Sequence, residues 1–300
     1  MYGVLANGQI GLKTNYRKVA PGMEETGFLD EITPTERESL RILALNMRQD
    51  IITMQQRGTG VASAMSIVDL LAVLYFKVMR IPTTDDPDRD RFILSKGHAT
   101  SAIYSVLAHK GFLDPGRLAT FLRDQSVLMG HPSRQILPGI ETSSGSLGHG
   151  LAIGVGIAHG AKLDRRSFRA FVLLGDGELQ EGSVWEAANL ASRLGLDNLV
   201  AIVDANGLQG YDRVDNQMPL SSLADKWRAF GWHCLEIDGH DHASIAQAFV
   251  GCSPGRPTAV IAHTVKGKGV GEMEDTLGWH YFNVSPEKSV QFSQELERQK

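Results

Sequence analysis

The segment Leu173–Gln209, with the sequence LLGDGELQEGSVWEAANLASRLGLDNLVAIVDANGLQ, decides the fold of this chain. An apolar run stops at a Gly-Asp-Gly turn, a helical pattern follows, and a second apolar run ends at Asp-Ala-Asn. This order predicts two parallel strands that are joined by a crossover helix. The carboxyl ends of such strands lie at the same edge of the sheet, where open α/β sheets bind ligands.

Asp176 and Asn206 stand at the ends of the two predicted strands, so we expect them side by side, although thirty positions separate them. A carboxylate and a carboxamide oxygen suit a hard divalent cation, which can hold a diphosphate through its oxygens. Gly177 lets the backbone approach a bound group closely. The structural alternative is that Asp176 caps the next helix and Asn206 occupies a turn.

Several ordered motifs resemble those of thiamine-diphosphate enzymes, and of transketolases in particular. They are LSKGHAT at 94–100, GHP at 130–132, SSGSLGHGL at 143–151, LLGDGELQEGSVWEAA at 173–188, Asn206, and HTVKGKGV at 263–270 followed by Trp279-His280. The resemblance extends from about Glu36 to about His280. It implies a doubly wound parallel sheet flanked by helices, the thiamine-diphosphate-binding fold of the family's diphosphate module. Alternating strand and helix patterns predict the same α/β class.

The resemblance also implies a metal site and a cofactor site. Asp176, Asn206 and the carbonyl of Leu208 would bind Mg²⁺ or Ca²⁺, with diphosphate oxygens and water completing an octahedron. Gly145 and Leu147 match a loop that contacts the aminopyrimidine ring of thiamine diphosphate. The cofactor-binding residues implied in this way are His98, Gly145, Leu147, Gly175, Asp176, Gly177, Glu178, Glu181, Glu186, Asn206, Lys266 and His280.

Three histidines match catalytic positions of the family. His98 corresponds to a histidine at the cofactor phosphates, His131 to one that faces the donor ketose, and His280 to one near the diphosphate and the substrate channel. Imidazoles that titrate near neutral pH are suited to moving protons in such a site.

Two acidic and two basic residues have structural alternatives to a role in the site. Glu181 and Glu186 match an acidic cluster that connects the active sites of the family's dimer, but acids in a first helical turn also stabilise the helix dipole. Lys96 and Lys266 match lysines beside the cavity and would steady anions. The alternative is that both lysines are solvated.

Composition excludes several classes of partner. The chain has 300 residues, with 42% hydrophobic and 21% charged residues and a formal net charge of −4, which does not favour nucleic acid or an anionic membrane. Neither a signal peptide nor a membrane-spanning apolar run is recognisable, so the cytoplasm is the expected location. Cys234 and Cys252 have no metal-ligand spacing, and we expect no disulfide between them.

The periodicity predicts an extension at 1–34 and one domain at 35–300, which the resemblance implies to be the thiamine-diphosphate-binding domain. Helices are expected from Thr35 onwards and at 66–79, 99–110, 151–162, 183–194, 221–230 and 242–250, and strands at 91–95, 170–174, 199–203, 233–237 and 258–262. The irregular stretch 111–148 is expected to be functional because of its length. His240-Asp241-His242 is interpreted as a polar loop.

Two features depart from the family pattern. Nothing up to Lys300 matches the second family domain, which carries a glutamate that activates the cofactor. We therefore predict the N-terminal subunit of a split transketolase, which is active only when a separate C-terminal subunit is present, in an assembly of two copies of each. In addition, Gly60 stands where the family has a histidine, which favours an unusual donor or acceptor.

Three functions remain open at this stage. The first is the half-enzyme that transfers a two-carbon ketol unit from a ketose or ketose phosphate to an aldose. The second is an α-type subunit of another thiamine-diphosphate enzyme, either a 2-oxo-acid decarboxylase or dehydrogenase, or a two-carbon transferase of a specialised biosynthetic pathway. The third is a non-catalytic partner that binds the cofactor.

Overall fold

A computed structural model describes residues 31–58, 60–217, 223–250 and 254–300, together with a short antiparallel ladder of β1 (Gly3–Val4) and β2 (Ile10–Gly11). Most of the predicted extension at 1–34, and Cys252, lie outside the described residues. Cys234 is buried as a free thiol. The first long helix begins one residue after Thr33, whose side chain and Glu36 form a capping box.

The main sheet has five parallel strands. They are β3 (Arg91–Leu94), β4 (Ala170–Gly175), β5 (Leu199–Ala205), β6 (His233–Asp238) and β7 (Thr258–His263). Their order across the sheet is β3-β4-β5-β7-β6. Strands β4 and β5 are direct neighbours, with Gly175 opposite Asp204, so the loops that follow them emerge together. The five predicted strands and the α/β class are confirmed.

Helices cover both faces of this sheet. They are α1 (Pro34–Met54), α2 (Val61–Met65), α3 (Val68–Val73), α4 (Thr100–His109), α5 (His149–Leu163), α6 (Gly182–Arg193), α7 (Val214–Gln217), α8 (Leu223–Ala229), α9 (His242–Gln247) and α10 (Pro286–Glu297). Phe171 and Leu173 pack under α1, α3, α4 and α9, whereas Val172 and Leu174 pack under α5, α6 and α8. Among the described residues, no helix combines the length and apolarity that a bilayer span requires.

The helix predicted at 66–79 is confirmed over 68–78, where α3 continues into a π-helical turn at Leu74–Val78. The preceding α2 was not predicted, and a break at 66–67 separates it from α3. At the break, Ser66 Oγ lies 3.1 Å from the Ser63 carbonyl and 2.8 Å from Asp204 Oδ2 of the sheet. A hydroxyl that binds nearby backbone and a distant carboxylate competes with regular helix bonding. The break therefore depends on a tertiary contact.

The glycines of α5 provide a test of close packing against the sheet. A Cβ at Gly154 would lie 2.4 Å from Val172 Cγ2, whereas a Cβ at Gly156 would meet nothing within 4 Å. We expect Gly154→Ala to lower the free energy of unfolding by about 1–3 kcal/mol through overpacking. Gly156→Ala, on the same helix, should raise it by about 0.5–1 kcal/mol. Urea denaturation measures both, and equal shifts in the two variants would contradict the packing argument.

Candidate cofactor site

The loops after β4 and β5 are bonded to each other through Asp176. Its Oδ2 accepts the Gly207 N–H at 2.6 Å and its Oδ1 accepts the Gly177 N–H at 2.8 Å. Asn206 Oδ1 accepts the Leu208 N–H at 3.1 Å. Asp176, Asn206 and Leu208 line one cavity of about 350 Å³. The structure thus places the predicted metal ligands side by side at the expected edge of the sheet.

Most of the predicted site residues share this cavity. Those that line it are His98, Leu147, Gly175, Asp176, Gly177, Glu178, Glu181, Asn206, Leu208, Lys266 and His280. His131, Gly145 and Glu186 are not among the lining residues. His131 is exposed and packs on Gly145, where an added Cβ would lie 2.9 Å from its Cδ2. Glu186 is exposed on α6.

A buried charge network forms the floor of the cavity. Lys96 Nζ donates to Asp204 Oδ2 at 2.5 Å and to the Ser63 carbonyl at 3.1 Å. Lys266 Nζ donates to Ser63 Oγ at 3.0 Å and to the Leu208 carbonyl at 3.3 Å. Each lysine is only 2% exposed, so the solvated alternative is wrong for both.

Asp204 belongs to this network although no sequence motif singled it out. It is fully buried, and its Oδ2 also accepts the Asn206 side-chain amide at 2.8 Å. Burial raises the pKa of Asp204, but Lys96 and hydrogen bonds from Thr264 and Ser66 outweigh burial and hold that pKa below its usual value. A charged residue inside the otherwise apolar run of β5 was the available signal.

The pKa values of two cavity groups are shifted in the direction of their neutral forms. Burial and the nearby Asp204 carboxylate raise the pKa of Asp176 to about 6, although the Gly207 and Gly177 amides oppose this. Burial and Lys96 lower the pKa of Lys266 to about 8. A cation beside Asp176 and an anion beside Lys266 would relieve both penalties. The residues present therefore fit a metal–diphosphate ligand electrostatically.

The donor set restricts the kind of ion that fits. In the described part of the chain, no group of three or more His, Cys, Asp or Glu side chains is arranged to hold a metal. An ion at this edge would depend on one carboxylate with amide and carbonyl oxygens, a set that suits Mg²⁺ or Ca²⁺.

Two of the predicted catalytic histidines face each other in the cavity. The ring centroids of His98 and His280 are 5.4 Å apart. Burial, with Lys96 next in importance, holds the pKa of His98 well below its usual value. Burial, Lys266 and Lys96 lower the pKa of His280 to about 4. Both rings are therefore neutral at pH 7, which differs from the expectation that they titrate near neutrality.

Hydrogen-bonding capacity is left over in the same cavity. Among the described residues, Gln180 Nε2, Gln209 Nε2 and His280 Nδ1 are buried without a partner, and all three residues line the cavity. Amide nitrogens are donors that require acceptor oxygens, which a diphosphate supplies. The carboxamide of Gln209 lies over Gly177, where a Cβ would be 3.0 Å from its Oε1. The glycine was predicted from the sequence as a site residue, whereas neither glutamine was.

Two predicted cofactor contacts are already occupied within the chain. The carboxylate of Glu178 accepts the Gly148 N–H at 2.9 Å, the Gly175 N–H at 3.1 Å and the Ser95 hydroxyl. It therefore ties together the loops around the cavity. Gly177 is the second predicted contact, and its N–H is bonded to Asp176.

Gly60 packs directly against the two histidines. It adopts φ 85°, and its N–H donates to the His280 carbonyl at 3.1 Å. A Cβ at this position would lie 2.7 Å from the His98 carbonyl oxygen. This backbone favours glycine. Gly60→His would consequently displace His98 as well as add an imidazole, so it does not isolate the effect of the absent histidine.

Comparison with known proteins identifies the family. The family model described as "Transketolase, thiamine diphosphate binding domain" matches residues 36–294. A subunit of the apulose-4-phosphate transketolase of Phocaeicola vulgatus is 41% identical over 234 residues, which are 77% of this chain and 83% of that protein. The 6-deoxy-6-sulfo-D-fructose transketolase subunit SqwG of a Clostridium species is 39% identical over 249 residues, covering 81% of this chain and 90% of the relative.

Longer transketolases match over part of their length. Human transketolase is 42% identical over 238 residues, which are 78% of this chain but 38% of the human protein. The solved transketolase of Leishmania mexicana superposes with a TM-score of 0.79 at 27% identity, covering 86% of this chain and 41% of that chain. Together with the fold and the cavity, these matches show that the chain belongs to the transketolase family and carries its thiamine-diphosphate-binding domain.

Proposed function

We propose that this chain is the N-terminal subunit of a two-chain transketolase. It transfers a two-carbon ketol unit from a ketose or ketose phosphate to an aldose acceptor, using thiamine diphosphate and Mg²⁺ or Ca²⁺. The observation that carries this proposal is the single cavity in which Asp176 and Asn206 meet Lys266 and unpartnered amide donors. Relatives of similar length that are named as transketolase subunits support the split organisation.

The parts of the cavity have distinct tasks in this proposal. Asp176, Asn206 Oδ1 and the Leu208 carbonyl would hold the cation, and Lys266 with the amides of Gln180 and Gln209 would hold the diphosphate. When bound, thiamine diphosphate supplies the carbon chemistry that cleaves and forms the C–C bond. The protein orients the cofactor and excludes water from the charged groups.

The histidines act around the reacting sugar. His98 and His280 are neutral at pH 7, so each ring has one nitrogen that donates and one that accepts a hydrogen bond. In that form they align phosphate and hydroxyl groups, and they accept a proton only when a bound anion raises their pKa. His131, which is exposed on the loop beside Gly145, is proposed to meet the donor.

A C-terminal subunit is proposed to complete the site. Tyr211 and Tyr281 line the cavity and remain 67% and 59% exposed, and the neighbouring Phe282 is 57% exposed. Large exposed aromatic side chains around a cavity are typical of surfaces that a partner covers. That subunit would supply the glutamate that activates the cofactor, and the proposed assembly contains two copies of each chain.

Reconstitution tests this function. The chain would be co-expressed with a chain that carries a transketolase C-terminal domain and purified with Mg²⁺ and thiamine diphosphate. We expect ketol transfer from the complex and none from either chain alone, since the activating glutamate and the diphosphate site lie on different chains. Coupled assays would use xylulose 5-phosphate, apulose 4-phosphate and 6-deoxy-6-sulfo-D-fructose as donors.

The same assay distinguishes the competing functions. Turnover of 2-oxo acids without ketol transfer would favour a decarboxylase or dehydrogenase subunit. Cofactor binding without turnover of any of these substrates would favour the non-catalytic partner. Gly60 stands where the family is expected to have a histidine, and this is the reason for including unusual donors among the substrates tested.

A further inference from the structure

A buried charged cluster lies around Asp69 of α3. Arg48 of α1 donates to Asp69 Oδ2 at 2.6 Å, His240 Nδ1 lies 2.8 Å from the same oxygen, and His242 Nε2 lies 3.0 Å from Oδ1. Burial raises the pKa of Asp69, but Arg48 and the two histidines outweigh it and keep this pKa well below its usual value. His240 and Asp241 lie in the turn before α9, as expected of a polar loop, but His240 and His242 are bonded to a buried carboxylate, which the sequence did not predict.

Two members of this cluster also hold the loop that carries Lys266. His240 Nε2 accepts the Val265 N–H at 2.8 Å, and Arg48 Nε donates to the Lys268 carbonyl at 2.9 Å. These bonds flank Lys266 on both sides along the chain. The amine between them reaches Ser63 Oγ and the Leu208 carbonyl in the cavity.

The bonding of His240 fixes its tautomer. Because Nε2 accepts a backbone N–H, the ring proton is on Nδ1 and is donated to Asp69. The carboxylate therefore orients the imidazole, and the imidazole in turn orients the backbone next to Lys266. A lysine has a long, flexible stem, so an anchored backbone is what keeps its amine at one place in the cavity.

We propose that His240 and Asp69 are positioning residues for the anion-binding side of the cavity, acting on Lys266 through the Val265–Lys268 loop. The inference rests on the proposed function in one respect, namely that the anion is the diphosphate of the cofactor. Neither residue is among those lining the cavity, so any effect on binding has to pass through the loop.

The two histidines of the cluster provide a matched pair of variants. His240→Asn keeps a donor near the position of Nδ1 for Asp69 but removes the acceptor for Val265. His242→Ala removes one bond to the same carboxylate from α9. His240→Gln returns an acceptor near the position of Nε2 and serves as the rescue. Thermal unfolding of each full-length variant records how much stability is lost.

Two measurements on the full-length chain follow. Hydrogen exchange of the backbone amides at 265–268 should accelerate in His240→Asn and stay unchanged in His242→Ala. Calorimetric titration with Mg²⁺–thiamine diphosphate and with Mg²⁺–pyrophosphate should show dissociation constants raised about tenfold or more in His240→Asn, the size expected when a supporting hydrogen bond behind a ligand contact is lost. His242→Ala should stay within about twofold, and His240→Gln should recover most of the affinity.

The outcomes separate this inference from the function. Equal effects of His240→Asn and His242→Ala on both dissociation constants, or faster exchange without weaker binding, would overturn the positioning role. Failure of the wild-type chain to bind either ligand, both alone and in the reconstituted complex, would refute the proposed function instead. In that case, faster hydrogen exchange at 265–268 that is confined to His240→Asn would still show that His240 anchors this loop.

Discussion

Asp176→Asn is expected to weaken Mg²⁺-dependent binding of thiamine diphosphate severely. Removing one partner of a buried, hydrogen-bonded charge pair costs about 2–5 kcal/mol, which corresponds to roughly 30-fold to several-thousand-fold in affinity. The Asp176 carboxylate is the single charged ligand of the proposed cation, since Asn206 and Leu208 contribute neutral oxygens. Calorimetric titration of the full-length chain with thiamine diphosphate, with and without Mg²⁺, measures the loss.

The control for this variant is Asp225→Asn on α8. Asp225 is an exposed acid whose side chain is 70% accessible and pairs with Arg228 three residues along the helix. The two substitutions make the same chemical change, and only Asp176 lines the cavity. If Asp176→Asn binds Mg²⁺–thiamine diphosphate as tightly as Asp225→Asn does, the chain does not hold its metal at this edge of the sheet.

The affinity for Mg²⁺–thiamine diphosphate is expected to follow a bell-shaped pH profile, with limbs near pH 6 and pH 8. Asp176, with a pKa of about 6, must be ionised to bind the cation. Below pH 6, affinity should therefore increase about tenfold for each unit by which the pH is raised. Lys266, with a pKa of about 8, must be protonated to bind the anion, so affinity falls above pH 8. Titration at a series of pH values from 5 to 9.5 measures the profile.

Two variants assign the limbs of the profile. Lys266→Gln should weaken binding and remove the limb near pH 8. His280→Phe should leave the limb near pH 6 in place, because the pKa of His280 is about 4 and this ring is already neutral there. A lower limb that disappears in His280→Phe would show that the histidine, rather than Asp176, controls binding.

The same groups predict how the stability of the ligand-free chain depends on pH. The pKa of Asp176 is raised in the folded state. Its stabilising contribution to the free energy of unfolding is therefore complete below pH 3.8, its pKa in the unfolded chain, and is lost as the pH rises through about 6. The loss approaches about 3 kcal/mol, since one pKa unit corresponds to about 1.4 kcal/mol. The pKa of Lys266 is lowered in the folded state. Its stabilising contribution to the free energy of unfolding is therefore complete above pH 10.5, its pKa in the unfolded chain, and is lost as the pH falls through about 8. At pH 7, the buried charges of Asp176 and Lys266 therefore both destabilise the ligand-free protein.

Sequence alone determined the α/β class, the five strands and the meeting of Asp176 with the loop after β5. These features follow from apolar runs and from the rule that parallel strands end at one edge, which are properties of short segments. The family assignment is confirmed by a match over residues 36–294. Metal binding, the domain boundary at residue 34 and the individual site roles stay predictions.

Only the tertiary structure decided how the charges of the cavity are paired. Lys96 and Asp204 are 108 positions apart, and Asp69 and His240 are 171 apart. No local pattern encodes such pairs, because each partner looks like an ordinary lysine, aspartate or histidine in its own segment. The neighbours that packing brings together then keep the pKa values of Asp69 and Asp204 below their usual values despite burial. Strand periodicity thus predicted where the cavity lies, and packing determined its chemistry.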